Sequence, residues 1–306
     1  MDETVEPVDE YVTRAPARAL RPWVGAYSGY RQRGVPPVRH LGLPSPWLTV
    51  LITLDDTLHV LSHPDPRQPG GRYDALVGGL HVRPAVVAHG GRQSGVQVAL
   101  HPLAARAVLG APAGELASLD LPADAVLGPV VDRLRDRLST LDWGARFDLL
   151  DRWFADRLTT PAAALPAGLG TACRRLVGGD GVATVARATG WSARHLTTLV
   201  RRETGLSPSA LGRVARFDRA RRLLQHDPGL RVSDVAALAG HCDASHLVRD
   251  FHDFAGLPPT TWRAQEFRSV HDTDPLLAAG SGDDDELRGP RPHHARPHRV
   301  AGLPRP

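Results

Sequence analysis

The chain has 306 residues, of which 42% are apolar and 23% charged; that is ordinary for globular protein and long enough for two domains, each with its own core. No apolar run approaches the roughly 18 residues needed to span a bilayer, and the acidic start MDETVEPVDE lacks the basic-then-apolar layout of a secretory signal. A membrane protein is therefore not expected, and the cytoplasm is the expected location; two cysteines, Cys173 and Cys242, fit a reducing compartment as small packed side chains.

The charge is uneven. All 37 cationic side chains are Arg, and the net charge is +4. Residues 1–164 carry 17 Arg against 18 acids, whereas residues 165–268 carry 15 Arg against 9 acids. A positive excess confined to one segment suggests a polyanionic partner there.

In chain order, WLTVLITL (47–54), LHVLS, ALVGGL, AVVAHG and GVQVALH read as short antiparallel strands separated by Pro, Gly and Asp clusters. The helical period begins near Leu103. VLGPVVDRLRDRL (126–138) and WGARFDLLDRWFADRL (143–158) place apolar residues at i, i+3, i+4. In the second, Phe147, Leu150, Phe154 and Leu158 share a face, for which dimerisation and core packing are equal readings. TTPAAALPAG (159–168) reads as a linker. Beyond Ser269 the chain is poor in large apolar residues and rich in Asp, Pro, Arg and His, which predicts a disordered tail over 269–306; His293, His294 and His298 in it form no closed metal-ligand set.

Between linker and tail the chain repeats itself. VATVARATGWSARHLTTLVRRETGLSP starts at Val182 and VSDVAALAGHCDASHLVRDFHDFAGLPP at Val232. Val182/Val232, Ala186/Ala236 and Gly190/Gly240 match at an offset of 50; His195/His246, Leu196/Leu247, Gly205/Gly256 and Pro208/Pro259 match at 51. Each copy predicts a short helix, a left-handed glycine turn and a second helix capped by Ser192 or its equivalent. Leu196 and Val200, and Leu247, Phe251 and Phe254, point inward; Arg194, Thr197, Thr198 and Arg201, and Ser245, Val248, Arg249 and His252, point outward. This is helix-turn-helix architecture, whose second helix can enter a major groove. Two copies fall short of the three or more a solenoid needs. Between them, Ser207 and Pro208 open a helix over 208–225, about 27 Å long, with Leu211, Val214, Phe217, Ala220 and Leu224 inward and Arg213, Arg216, Arg219 and Arg222 in an i+3 stripe. Such a rod can hold two reading helices about 34 Å apart, one turn of duplex.

GLSPSALGRVARFDRARRLL and SDVAALAGHCDASHLVRDFHDFAGLPPTTWR carry a resemblance: the segment 165–268 is similar to the double helix-turn-helix domain of the AraC/XylS family of bacterial transcription regulators. The chain departs from the family at His241 (usually aromatic), at Cys242 (commonly a capping Ser, a role open to Asp243), at Val200 (usually Phe) and at Gly212, which weakens a helix by up to about 1 kcal/mol relative to Ala. The resemblance implies that Arg194, Thr197 and Thr198, with Ser245, Val248 and Arg249, face bases. Arg201, Arg202, Arg213 and His252 are the implied phosphate contacts, and double-stranded promoter DNA is the implied partner. Their chemistry fits: Arg donates twice to guanine, and Thr and Val methyls meet the thymine methyl.

PVRHLGLPSPWLTVLITLDDTLHVL and GVQVALHPLAARAVLGAPAGEL resemble a domain that often precedes such modules, where relatives place a cupin-like barrel that binds a small-molecule effector, followed by helices that dimerise. The expected architecture is thus α+β: a β-rich domain with trailing helices over 1–160, a linker over 161–168, an all-α double helix-turn-helix domain over 169–268 and the tail. A homodimer and RNA polymerase are candidate partners. The alternative function is a cupin-type enzyme fused to a DNA-binding module; a third is an architectural binder that bends DNA without sequence preference. His59, His63, His81, His89 and His101 lie among the strands, but with no close His-x-His pair and carboxylate, and no nucleophile with a supporting base, neither metal nor cofactor nor catalysis is expected.

Overall fold

The computed structural model describes residues 7–159 and 165–266; linker residues 160–164 and the 269–306 tail with its three histidines lie outside them. Ten strands come first: β1 (Val8–Arg14), β2 (Val24–Arg33), β3 (Val38–Gly42), β4 (Leu48–Thr53), β5 (Leu58–Ser62), β6 (Gly71–Tyr73), β7 (Ala75–Gly78), β8 (Ala85–His89), β9 (Arg92–Leu100) and, later, β10 (Asp120–Pro122). They pair antiparallel in a six-stranded sheet of order β1-β2-β9-β4-β7-β10 and a four-stranded sheet of order β3-β8-β5-β6. Every strand anticipated from the apolar runs is present, and the fold is α+β.

The six-stranded sheet is covered on both faces, and its period of two sorts the side chains. Val50, Ile52, Val96, Val98 and Leu100 belong to the main core, while their neighbours Thr49, Leu51, Gln97 and Ala99 line a cavity. The helices over the core face are α1 (Ala105–Leu109), α2 (Ala123–Leu127), α3 (Val130–Ser139) and α4 (Trp143–Leu158), with a 3₁₀ turn at Ala113–Leu116. The stretch 126–138 is two helices rather than one: Gly128, which precedes Pro129, is driven out of the helical region (φ 73°, ψ −177°). Asp142 caps α4 by accepting from the Ala145 N–H at 2.8 Å. Tyr27 of β2 stacks on Phe147 and Phe154 of α4 at 5.8 and 6.4 Å, and Leu150 is fully buried. Of the two readings of that helix face, core packing is the one the structure shows.

The C-terminal helices are α5 (Leu169–Val177), α6 (Val182–Thr189), α7 (Ala193–Thr204), α8 (Pro208–His226), α9 (Val232–Ala239), α10 (Ala244–Ala255) and α11 (Pro259–Glu266). The duplication survives down to single hydrogen bonds. The N–H of Trp191 reaches the Ala186 carbonyl at 3.0 Å, and that of His241 the Ala236 carbonyl at 2.8 Å. Gly190 and Gly240 between them are left-handed at φ 70° and 85°, a conformation that strains any residue with a Cβ.

α8 is the shared core element. Leu211, Val214, Phe217, Ala220 and Leu224 are buried as expected, and Phe217 meets Phe251 and Phe254 of the second unit at 4.9 and 5.1 Å. Gly212, a weakness in an isolated helix, has a packing reason: a Cβ there would stand 3.1 Å from the Leu176 carbonyl oxygen of α5. The arginine stripe is not a solvated face. Arg219 donates to the carbonyls of Val177 at 2.6 Å and Ala239 at 3.2 Å, and Arg222 pairs with buried Asp218 at 2.8 Å.

Candidate nucleic-acid interface and effector cavity

Capping fixes where each reading helix starts. Ser192 accepts from the His195 N–H at 3.2 Å, and Asp243 accepts from the His246 N–H at 2.7 Å. Asp243 thus takes over the capping role, and Cys242 stays exposed instead of packing; Cys173 is buried, and burial pushes its thiol up to about 12. On α7, Arg194, Thr198 and Arg201 are exposed and Thr197 half-buried; on α10, Ser245, Arg249 and His252 are exposed and Val248 half-buried. The six residues implied at bases therefore all lie on the outer sides of the two helices. Thr197 and Thr198 donate their hydroxyl hydrogens to the Ala193 and Arg194 carbonyls at 2.8 and 3.1 Å.

The phosphate set divides. Arg201 and His252 are exposed. Arg202 is exposed but donates to Glu203 at 2.7 Å. Arg213, expected on a phosphate, instead turns into the fold: its Nε donates to Asp250 at 2.6 Å, its Nη2 binds Asp253, and its guanidinium lies 4.8 Å over Phe254. The cause is Asp250, fully buried on the inner side of α10 and also bonded to His241 Nε2 at 3.1 Å. Burial alone would raise the Asp250 carboxyl, but His241 and Arg213 outweigh it and hold it below the usual carboxylate range. His241, at the aromatic position of the resemblance, is bonded to this carboxylate.

Residues 169–265 match the family described as a helix-turn-helix domain. The C-terminal segment is thus a helix-turn-helix domain. Solved structures similar to the longer chain include ToxT from Vibrio cholerae O395, at 9% identity over 78% of this chain and 96% of that one, with a TM-score of 0.47. Others are the C-terminal domain of AraT, a response regulator from Geobacillus stearothermophilus (20% identity, 33% and 88% covered, TM-score 0.31), and the AraC-like transcriptional activator CuxR (16%, 71% and 86%, 0.26). No curated protein matches the chain. Among the described residues no helix is long and apolar enough to cross a membrane.

The helix-turn-helix domain also touches the cavity between the two sheets. That space, about 160 Å³, is walled by Leu51, Leu58, Val60, Leu76 and Val87, with Tyr30, Gln93, Gln97, His81 and Asp120 as polar groups, and Asp218 and Arg221 of α8 reach its edge. Sequence reasoning missed those two; an Asp–Arg pair at i, i+3 (2.9 Å) signals a helix but not what it faces. The strand histidines are engaged separately. His63, fully buried, bonds Asp120 through Nδ1 at 2.7 Å and the Tyr73 hydroxyl through Nε2 at 3.0 Å. His81 bonds the Arg83 carbonyl at 2.5 Å, His89 accepts from the Gly91 N–H at 3.2 Å, and His101 stands edge-on to Trp23 and Trp47. Among the described residues no group of three His, Cys, Asp or Glu side chains is placed to hold a metal ion.

Proposed function

We propose that the protein is a sequence-specific transcription regulator of the cytoplasm. Its α7 and α10 enter successive major grooves of promoter DNA, and a small-molecule effector held between the two N-terminal sheets modulates it. The observation that carries the reading is the duplicated, identically hydrogen-bonded helix-turn-helix unit with Arg, Thr and Ser side chains outward on both second helices. α8, with 19 residues, is about 28 Å long, a splint of the right order for reading grooves about 34 Å apart. Arg194 and Arg249 are assigned to guanine, Thr197, Thr198 and Val248 to thymine methyls, Ser245 to a base edge, and Arg201, Arg202 and His252 to phosphates.

The effector assignment rests on this chain's own cavity: a mostly apolar space between sheets with a few converging polar groups is where small ligands bind, and α8 closes one side of it. ToxT has a structure bound to an unsaturated fatty acid. The cupin-like character of the N-terminal domain, RNA polymerase as a partner and self-association belong to the same proposal. A regulator is favoured over a fused enzyme because both ring nitrogens of buried His63 are already engaged, one by the Asp120 carboxylate and the other by the Tyr73 hydroxyl.

Footprinting of the full-length protein upstream of its neighbouring gene tests the reading. Two protected stretches one helical turn apart are expected, and competition by random DNA as effective as by the protected fragment would sink it.

A further inference from the structure

The two domains meet at the far end of the first reading helix. Glu203, in the last turn of α7, keeps 1% of its side chain exposed and receives both arms of Arg106 from α1: Nε to Oε2 at 2.7 Å and Nη2 to Oε1 at 2.8 Å. Such a two-armed pair fixes direction as well as distance. Beside it the Ala113–Leu116 turn presses on the same helix end. A Cβ on Gly114 would lie 2.7 Å from the Arg201 carbonyl oxygen and closer still to that of Arg202, and a Cβ on Gly205 would lie 2.8 Å from the Ala117 Cβ. The carbonyl of Leu116 rests against Gly79, which lines the cavity.

Among the described residues, the equivalent helix end of the second unit has no such ion pair. At the repeat offset of 51, Glu203 corresponds to Phe254, which is buried on Phe217 of α8. Gly205 corresponds to Gly256, where a Cβ would meet nothing within 4 Å. Among the described residues, the ion pair and close backbone contact at this helix end belong to the first copy. The second copy approaches the N-terminal domain elsewhere, where Asp253 and Phe254 share a pocket with Val82 and Arg83. The contact leaves the reading side alone, since Arg194, Thr198 and Arg201 remain exposed; it steadies α7 rather than masking it.

We propose that Arg106 is a positioning residue for DNA reading: through Glu203 it anchors the C-terminal end of α7 to the N-terminal domain, so that the first unit meets its groove as one body with that domain. The inference rests on the two-groove reading. Full-length wild type, Arg106→Ala, Arg106→Lys and Gly114→Ala are compared by footprinting and titration on one operator, with thermal denaturation to verify folding. Arg106→Ala is expected to raise Kd about tenfold, within the range of ordinary intersite coupling, and to lose protection in one groove while keeping the other. Arg106→Lys should recover part of the loss. Gly114→Ala, which displaces the same helix end without touching a charge, should fade the same groove, and it carries the test alone if Arg106→Ala does not fold. A wild type that protects only one groove defeats the two-groove reading itself. A wild type that protects both, with folded variants that protect both at unchanged affinity or weaken both equally, overturns the positioning role.

Discussion

Thr197 and Thr198 turn their hydroxyl hydrogens back onto α7, so what each offers outward is a methyl group and an acceptor oxygen. That chemistry suits a thymine methyl and the adenine amino group, and it was present in the residue type before any fold was known. Among the described residues Arg249 makes a long bond to the Ser245 carbonyl, 3.3 Å, and its side chain is exposed. Arg249→Ala is expected to relax preference at one or two base pairs and to cost about 1–3 kcal/mol of binding; binding-site selection that returns an unchanged motif would remove it from the reading set. Arg213 carries the opposite lesson. In sequence it is indistinguishable from its neighbours in the stripe, and only the carboxylate of Asp250 across the helix pair decides that it serves the fold. His101 shows how packing rewrites a titration. Burial, with repulsion from Arg174, lowers it to about 4; below its unfolded value near 6.5 the unfolded chain takes up the proton first, so stability is full above that pH and falls as pH drops toward 4. A loss of about 2–3 kcal/mol between pH 7 and pH 4 is expected from this group. In His101→Asn, which keeps an acceptor for the Leu103 N–H, chemical denaturation across that window should show a correspondingly flatter profile.

At the scale of elements, α8 sets how the two units relate. Its inward residues were legible from their spacing, but the partners of its i+3 arginines were not: Arg219 and Arg222 are engaged with neighbouring carbonyls and with Asp218. Phe217 joins α8 to α10 through two aromatic contacts. Phe217→Ala is expected to cost about 3–5 kcal/mol by the cavity it opens, read as a fall in the denaturant midpoint. Protection over the second groove should fade before the first, since α7 retains its contact with the N-terminal domain. The break of 126–138 into α2 and α3 was legible in hindsight from Pro129, whose effect on the preceding residue is local and general.

At the scale of the whole molecule, one contiguous hydrophobic cluster runs from Leu20 and Val24 in the N-terminal domain through Leu169 and Leu199 to Trp262 in α11. Shared burial couples the stabilities of its parts. A single unfolding transition is therefore expected by calorimetry for the full chain; two well-separated transitions would mean that the Arg106–Glu203 contact and its surroundings contribute little to holding the domains together.

The sequence by itself determined the local rules: strand and helix runs, glycine turns, caps, the duplication and the residues outward on each reading helix. Each depends on spacing within a few residues, and a repeat states such a rule twice. The tertiary structure alone decided which charges are consumed by partners, that α8 borders the cavity, and that the first unit is fastened to the N-terminal domain. Arg106 and Glu203 are 97 positions apart, and no periodicity along a chain encodes a contact that exists only after two separately folded surfaces have met.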